Sequence, residues 1–203
     1  MSQTPAGPSG PTPSFPLRPT PACPWRPLND AEWAELSRIL RRSARGRPPA
    51  DARRAWDGIF WVACSKGPWR EMPAAFGRAD TAHRTLRRAA LGRQLHALLL
   101  RASAHPGFAD SPLRAIAWFI VRAFRRAFRV AARAIFYARH LGLLSALPAA
   151  PIWLPNPNLS EAVKDIGHRI RHQAGRLSLP FLQAMHCLFR RSAGEPRFWK
   201  TTE

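Results

Sequence analysis

The chain has 203 residues, with 32 Lys and Arg against 12 Asp and Glu, so its formal net charge is +20. That length suits one ordinary domain or two small helical ones, and that charge repels itself unless a polyanion or an anionic surface neutralises it. Cys23, Cys64 and Cys187 are too far apart for a disulfide framework or a zinc module, which points to a reducing cytoplasm, and the apolar runs 115–121 and 141–154 are too short or too Pro-interrupted to span a bilayer.

Taken in chain order, residues 1–27 carry nine prolines, a density that forbids helix and sheet ladders and predicts a disordered or PPII-like tail. Order is expected from Leu28. Asn29 and Glu32 have capping-box spacing, and Trp33, Leu36 and Leu40 then share a helix face. The loop Ala44-Arg45-Gly46-Arg47-Pro48-Pro49 follows. A second helix is expected over about 51–65, with Ala52, Ala55, Trp56, Ile59, Phe60 and Ala63 as its apolar stripe and Gly67-Pro68 as its stop. Trp61 and Cys64 read as core. Pro73 suits the first turn of a short helix over 72–76. Gly77 makes a turn, and Asp80 is expected to cap a third helix to about residue 90. Residues 91–103 are expected to be helical again, either continuing the third helix or after a bend at Gly92, and His105-Pro106-Gly107 marks a boundary. Ser111-Pro112 reads as the start of one long amphipathic helix over 111–147, with Arg122, Arg126, Arg129 and Arg133 on one face and Phe119, Ile120, Ala123, Phe124 and Ile135 among the rest. Residues 148–158 read as loop. Asn158 or Ser160 caps a helix over 161–175, and 180–191 is the last. No segment alternates as a strand does. The expected class is therefore all-α: a helix-turn-helix bundle over 28–105, then a basic helical region over 106–203.

A short helix, a Gly turn and a capped helix in succession form the order a helix-turn-helix requires. At about 100° per residue, Ala82, Leu86, Ala89 and Arg93 cluster on one side of the third helix, as a packing face. Thr81, Arg84, Arg87 and Arg88 lie opposite. That solvent side offers three guanidiniums and a hydroxyl, chemistry that reaches phosphates and guanine O6/N7. The positive charge is nearly all Arg, with Lys66, Lys164 and Lys200 the only lysines, and the planar Arg fork suits the same targets. Residues 45–48, Arg-Gly-Arg-Pro, have the core of a minor-groove reader. His168 and His172 stand at i, i+4, yet no acidic or Cys ligand is fixed beside them, so no metal and no cofactor is expected.

Five blocks carry a resemblance. They are Leu28-Asn29-Asp30-Ala31-Glu32-Trp33; Gly46-Arg47-Pro48 with Asp51 and Arg53; Asp57-Gly58-Ile59-Phe60-Trp61-Val62; Gly67-Pro68-Trp69-Arg70-Glu71-Met72-Pro73; and Phe76-Gly77 with Thr81. In this order and spacing, residues 28–90 resemble the N-terminal helix-turn-helix region of bacterial insertion-sequence transposases of the DDE type. The resemblance departs where Ala89 and Ala90 stand in place of the family's aromatic, and where Ser65-Lys66 precedes Gly67. It implies duplex DNA as partner, a transposition-linked role and a nucleoid location in the cytoplasm. The expected DNA-contacting set is Thr81, Arg84, Arg87 and Arg88, joined by Arg45, Arg47 and Arg70. The catalytic domain that follows in the family needs three carboxylates on a stranded scaffold. After Asp80 the chain has only Asp110, Glu161, Asp165, Glu195 and Glu203, so catalysis of its own and catalytic residues are not expected. The 111–147 helix offers a surface for homo-oligomerisation. In an alternative from another class, that helix lies on an anionic membrane surface, its arginines on one face and Trp118, Phe119, Phe124, Phe128 and Phe136 around the rest.

Overall fold

The computed structural model describes residues 15–41, 51–130, 134–172 and 177–195. They form helices α1 (Asp30–Arg41), α2 (Ala52–Ser65), α3 (Ala79–Leu91), α4 (Gln94–Ala102), α5 (Ala117–Ala127), α6 (Ala134–His140), α7 (Pro157–His172) and α8 (Leu179–Ala193). Short 3₁₀ turns lie between them. Among the described residues there is no strand, only a single bridge between Arg18 and Leu143. The all-α class holds.

Helix α2 is the centre. Of its expected apolar stripe, Ala55, Trp56, Ile59, Phe60 and Ala63 are buried, Ala52 is half-buried at the start of the helix, and Val62 is buried in addition. Asp51 caps its first turn by accepting a hydrogen bond from the Arg54 N–H, which satisfies one of the free amides of a helix start. Helices α3 and α5 pack on α2, and α4 packs on α1, α3 and α5. The buried core runs without a gap from Leu28 to Leu154. His105 to Gly107 lies inside this frame as part of a 3₁₀ turn between α4 and α5.

Several expectations are corrected. Residues 15–27 do not trail as a tail. The Phe15 and Arg18 N–H groups donate to the carbonyls of His140 and Gly142, the Leu144 N–H donates back to the Arg18 carbonyl, and the Thr20 N–H donates to the Ser145 hydroxyl. Proline removes its own donor but leaves its neighbours free to bond, so a Pro-rich strap can be pinned through the residues between. Leu17, Cys23 and Trp25 then pack against the core. Residues 1–14 lie outside the described part.

In place of the expected helix over 72–76 stands a 3₁₀ turn, Ala74–Phe76, preceded by another at Trp69–Glu71. Arg78, not Asp80, occupies the cap position of α3. The third helix ends at Leu91, close to where it was expected to, and a bend at Gly92 separates it from α4; Arg93 there adopts a left-handed conformation (φ 59°) and is exposed, so it does not join the packing face of Ala82, Leu86 and Ala89. Helix α7 starts at Pro157, with Asn156 accepting from the Leu159 N–H, rather than at an Asn158 or Ser160 cap.

The largest departure is the helix expected over 111–147. In its place stand a 3₁₀ turn at Pro112–Arg114, α5, α6 and a further 3₁₀ turn at Leu144–Ala146. A continuous helix of that length would run about 55 Å and carry most of its apolar residues past a body this small. Breaking it lets α5 and α6 fold onto the same core. The expected arginine face turns inward. Arg122 is buried and its Nε donates to the Ala63 carbonyl at 3.2 Å; Arg126 donates to the Gly67 carbonyl. Both thus satisfy carbonyls at and just beyond the C-terminal end of α2, where positive charge also meets the negative end of the helix dipole. Arg129 is exposed, and Arg133 lies outside the described residues.

Candidate nucleic-acid interface

The blocks that carry the resemblance form a scaffold before they form a surface. Asn29 and Glu32 make the expected capping box: the Asn29 side-chain oxygen accepts from the Glu32 N–H at 2.8 Å, and Glu32 accepts from the Asn29 N–H at 2.9 Å. Arg26 completes the carboxylate of the buried Glu32 with a two-pronged pair. Burial pushes the Glu32 carboxyl up, but hydrogen bonds from Arg26 and the Asn29 N–H outweigh it and hold the group below its usual range. Arg53 bridges the Asp30 carboxylate (2.6 Å) and the Leu28 carbonyl. Asp57 accepts from the Leu28 N–H at 2.9 Å, and its burial raises its pKa despite that bond. Together these tie the entry of α1 to the middle of α2.

Gly58 performs the next step. A Cβ there would stand 2.7 Å from the Phe76 Cβ and 2.9 Å from the Met72 sulfur. Only hydrogen at this position lets the 69–76 segment close on α2. Arg54 secures the same segment by donating to the Ala75 carbonyl. Trp69 meets the His83 ring edge-on at 5.4 Å and lies under the Arg126 guanidinium at 5.8 Å. The start of α3 is thereby positioned from two sides, by the turn and by α5.

Helix α3 buries Ala82, Leu86, Ala89 and Ala90 against this frame. Thr81, Arg84, Arg87 and Arg88 are all exposed on its outer side, as read from the spacing, and Arg70 is exposed on the turn that packs on α3. Arg78 and Arg93 are exposed at either end. Asp80 is the one acid on the helix, and it pairs with Arg84 at 2.9 Å. Arg45 and Arg47 lie outside the described residues.

Sequence reasoning missed Arg26, Asp57, Arg122 and Arg126 as structural bonds. A polar residue inside an apolar block, as Asp57 is, was the available signal. For the α5 arginines there was none, since a solvated arginine and a capping one have the same spacing. Cys64 is half-buried in the core, and burial pushes its thiol up to about 12, so it stays protonated and unreactive at neutral pH. Among the described residues no cluster of three or more His, Cys, Asp or Glu can hold a metal ion, and no helix is long and apolar enough to cross a membrane.

No curated protein and no solved structure matches the chain. A family model does, over about a third of it. The match begins at the buried Leu28 and ends inside α4, enclosing the capping box, the Asp57-Gly58 contact and all of α3. Residues 28–98 match the family described as "Putative transposase of IS4/5 family (DUF4096)", the N-terminal region of an insertion-sequence transposase.

Proposed function

We propose that this protein binds duplex DNA in a transposase-related role, laying the outer face of α3 against the double helix. The observation that carries the reading is that Arg84, Arg87 and Arg88 share one exposed face of a helix whose other face is locked in the core, within the segment that matches the transposase family. A guanidinium forks onto guanine O6/N7 or onto phosphate oxygens. A 13-residue helix is about 20 Å long and fits a major groove about 12 Å wide. In this reading the 69–76 turns, Gly77 and α3 act as a helix-turn-helix, Thr81 adds a hydroxyl, and Arg70, Arg78 and Arg93 flank the helix as phosphate contacts. Arg45 and Arg47, which lie outside the described residues, are proposed as additional contacts.

The test uses the full chain and a mixed-sequence duplex in a mobility-shift titration. Binding is expected at about 50 mM salt and should fall by orders of magnitude at about 200 mM, because each Arg–phosphate contact releases counterions. The variant Arg84→Ala/Arg87→Ala/Arg88→Ala, shown by circular dichroism to keep its helices, should bind at least about tenfold more weakly and with a shallower salt slope. A wild-type chain that shifts no duplex at the lower salt, or a triple variant that binds as well as wild type, overturns the reading.

A further inference from the structure

Helices α7 and α8 pack chiefly on each other, as a hairpin beside the main core. On α8, Phe181, Leu182, Met185, Leu188 and Phe189 fall within about 120° of one another. Helix α7 covers only part of that arc. Met185 is buried, but Phe181, Leu182 and Phe189 remain 37%, 47% and 51% exposed, with Leu177 and Leu179 exposed at the helix start. Exposed apolar side chains gathered on one helix face mark an interaction surface, whereas singly scattered ones need no explanation. A helix of 15 residues draws its stability from burying its apolar face, and here half of that face is left to water.

The charge pattern selects the occupant. From Ser178 to Phe189 there is no Asp, Glu, Lys or Arg, in a chain of net charge +20. An acidic partner would be steered to the arginines instead. An anionic lipid surface favours basic residues along the borders of the apolar face, whereas Arg190 and Arg191 stand together at one end of α8. A second, equally basic copy approaches with least repulsion across an uncharged apolar flank, and a helical hairpin is self-complementary about a two-fold axis. We propose that the outer face of α8 is where a second copy of this chain docks, making a dimer through a bundle of four helices. This inference goes beyond the DNA-binding reading and does not depend on it. The oligomerisation surface expected at 111–147 moves to α8, because Phe119, Ile120 and Phe124 are consumed in the core.

Sedimentation equilibrium of the full chain, free of nucleic acid, tests the proposal. The expected mass is twice the 22.8 kDa of one chain. The dimer should tighten between about 0.1 and 0.5 M salt, as screening removes the repulsion between two basic copies, a dependence opposite in sign to that of DNA binding. Leu182→Glu/Phe189→Glu should run as a single chain with unchanged helicity. The milder Leu182→Gln should weaken the dimer at least about tenfold, and serves as the decisive variant should the double one lose its helices. Cys187, on the opposite side of α8 and exposed, should stay reactive to a thiol reagent in the dimer. A wild-type chain that remains at 22.8 kDa at both salts overturns the proposal, as does a Leu182→Gln dimer of unchanged affinity. So does a monomer that co-sediments with phosphatidylglycerol vesicles through Leu182 and Phe189, which assigns the face to lipid.

Discussion

Asp80 stands one turn before Arg84 and holds its guanidinium at 2.9 Å, with both side chains largely exposed. An exposed pair of this kind contributes at most about 1 kcal/mol, so it cannot keep Arg84 from a phosphate or a guanine. It does place a carboxylate where the DNA backbone would lie. Replacing it with Asp80→Asn removes that repulsion and frees Arg84, and should tighten duplex binding by a few-fold, about 0.5–1 kcal/mol. Arg84→Ala should weaken binding to a selected site by roughly 1–3 kcal/mol and relax preference at one base pair. In the Arg84→Ala background the gain from Asp80→Asn should shrink, because part of it comes from releasing Arg84. Fluorescence anisotropy on the four proteins of this cycle at one fixed salt measures the coupling. Weaker binding by Asp80→Asn would mean that Asp80 faces away from the duplex. The exposure of Thr81, Arg84, Arg87 and Arg88 was legible because a 3.6-residue period sorts a helix into two sides. Their pairing was not: a sequence shows that Asp80 is in reach of Arg84, not that no better partner competes.

Among elements, α2, the 69–76 turns and α3 depend on one close approach. Alanine is the better helix former by about 1 kcal/mol, so propensity alone favours Gly58→Ala. The contact with Phe76 and Met72 opposes it, and overpacking of this kind costs about 1–3 kcal/mol. Gly58→Ala should therefore lower the thermal midpoint and, by shifting the turn that positions α3, weaken DNA binding. Gly167 in α7 supplies the control. A Cβ there meets nothing within 4 Å, so Gly167→Ala should raise stability by up to about 1 kcal/mol. Equal melting shifts in the two variants would remove Gly58 from this role. The capping box of α1 and the stripe of α2 were readable because each lies within a few residues. The 111–147 segment misled because its amphipathic spacing fits one long helix or two short ones equally well. What broke it was access to the shared core: α5 lies on α2, with Phe60 and Phe119 at 5.9 Å, and α6 reaches α4, with His96 and Tyr137 at 5.3 Å.

For the whole molecule, the matched segment and the residues after it share one interior. Phe119, Ile120 and Phe124 are buried against α2, α3 and α4, and Arg122 and Arg126 bond the carbonyls of Ala63 and Gly67. A chain cut at residue 105 exposes those surfaces. Losing three large buried side chains, at about 1.5–3 kcal/mol each, removes stability comparable to that of a whole small domain. Residues 1–105 are expected to lack a cooperative melting transition, whereas residues 1–155 should melt cooperatively; a sharp transition from the shorter chain would show that α2 and α3 hold without α5. The sequence by itself determined the helical class, the cap of α1, the buried stripe of α2, the basic outer side of α3 and the resemblance over residues 28–90. All of these are local: they follow from helix periodicity, from turn chemistry or from contiguous blocks. Only the tertiary structure decided that the Pro-rich strap is pinned to 140–145, that the α5 arginines cap α2 instead of facing solvent, and that the apolar surface left over is on α8. The physical reason is that burial is a competition among all apolar faces for one limited interior, and its outcome depends on distances that no single segment carries.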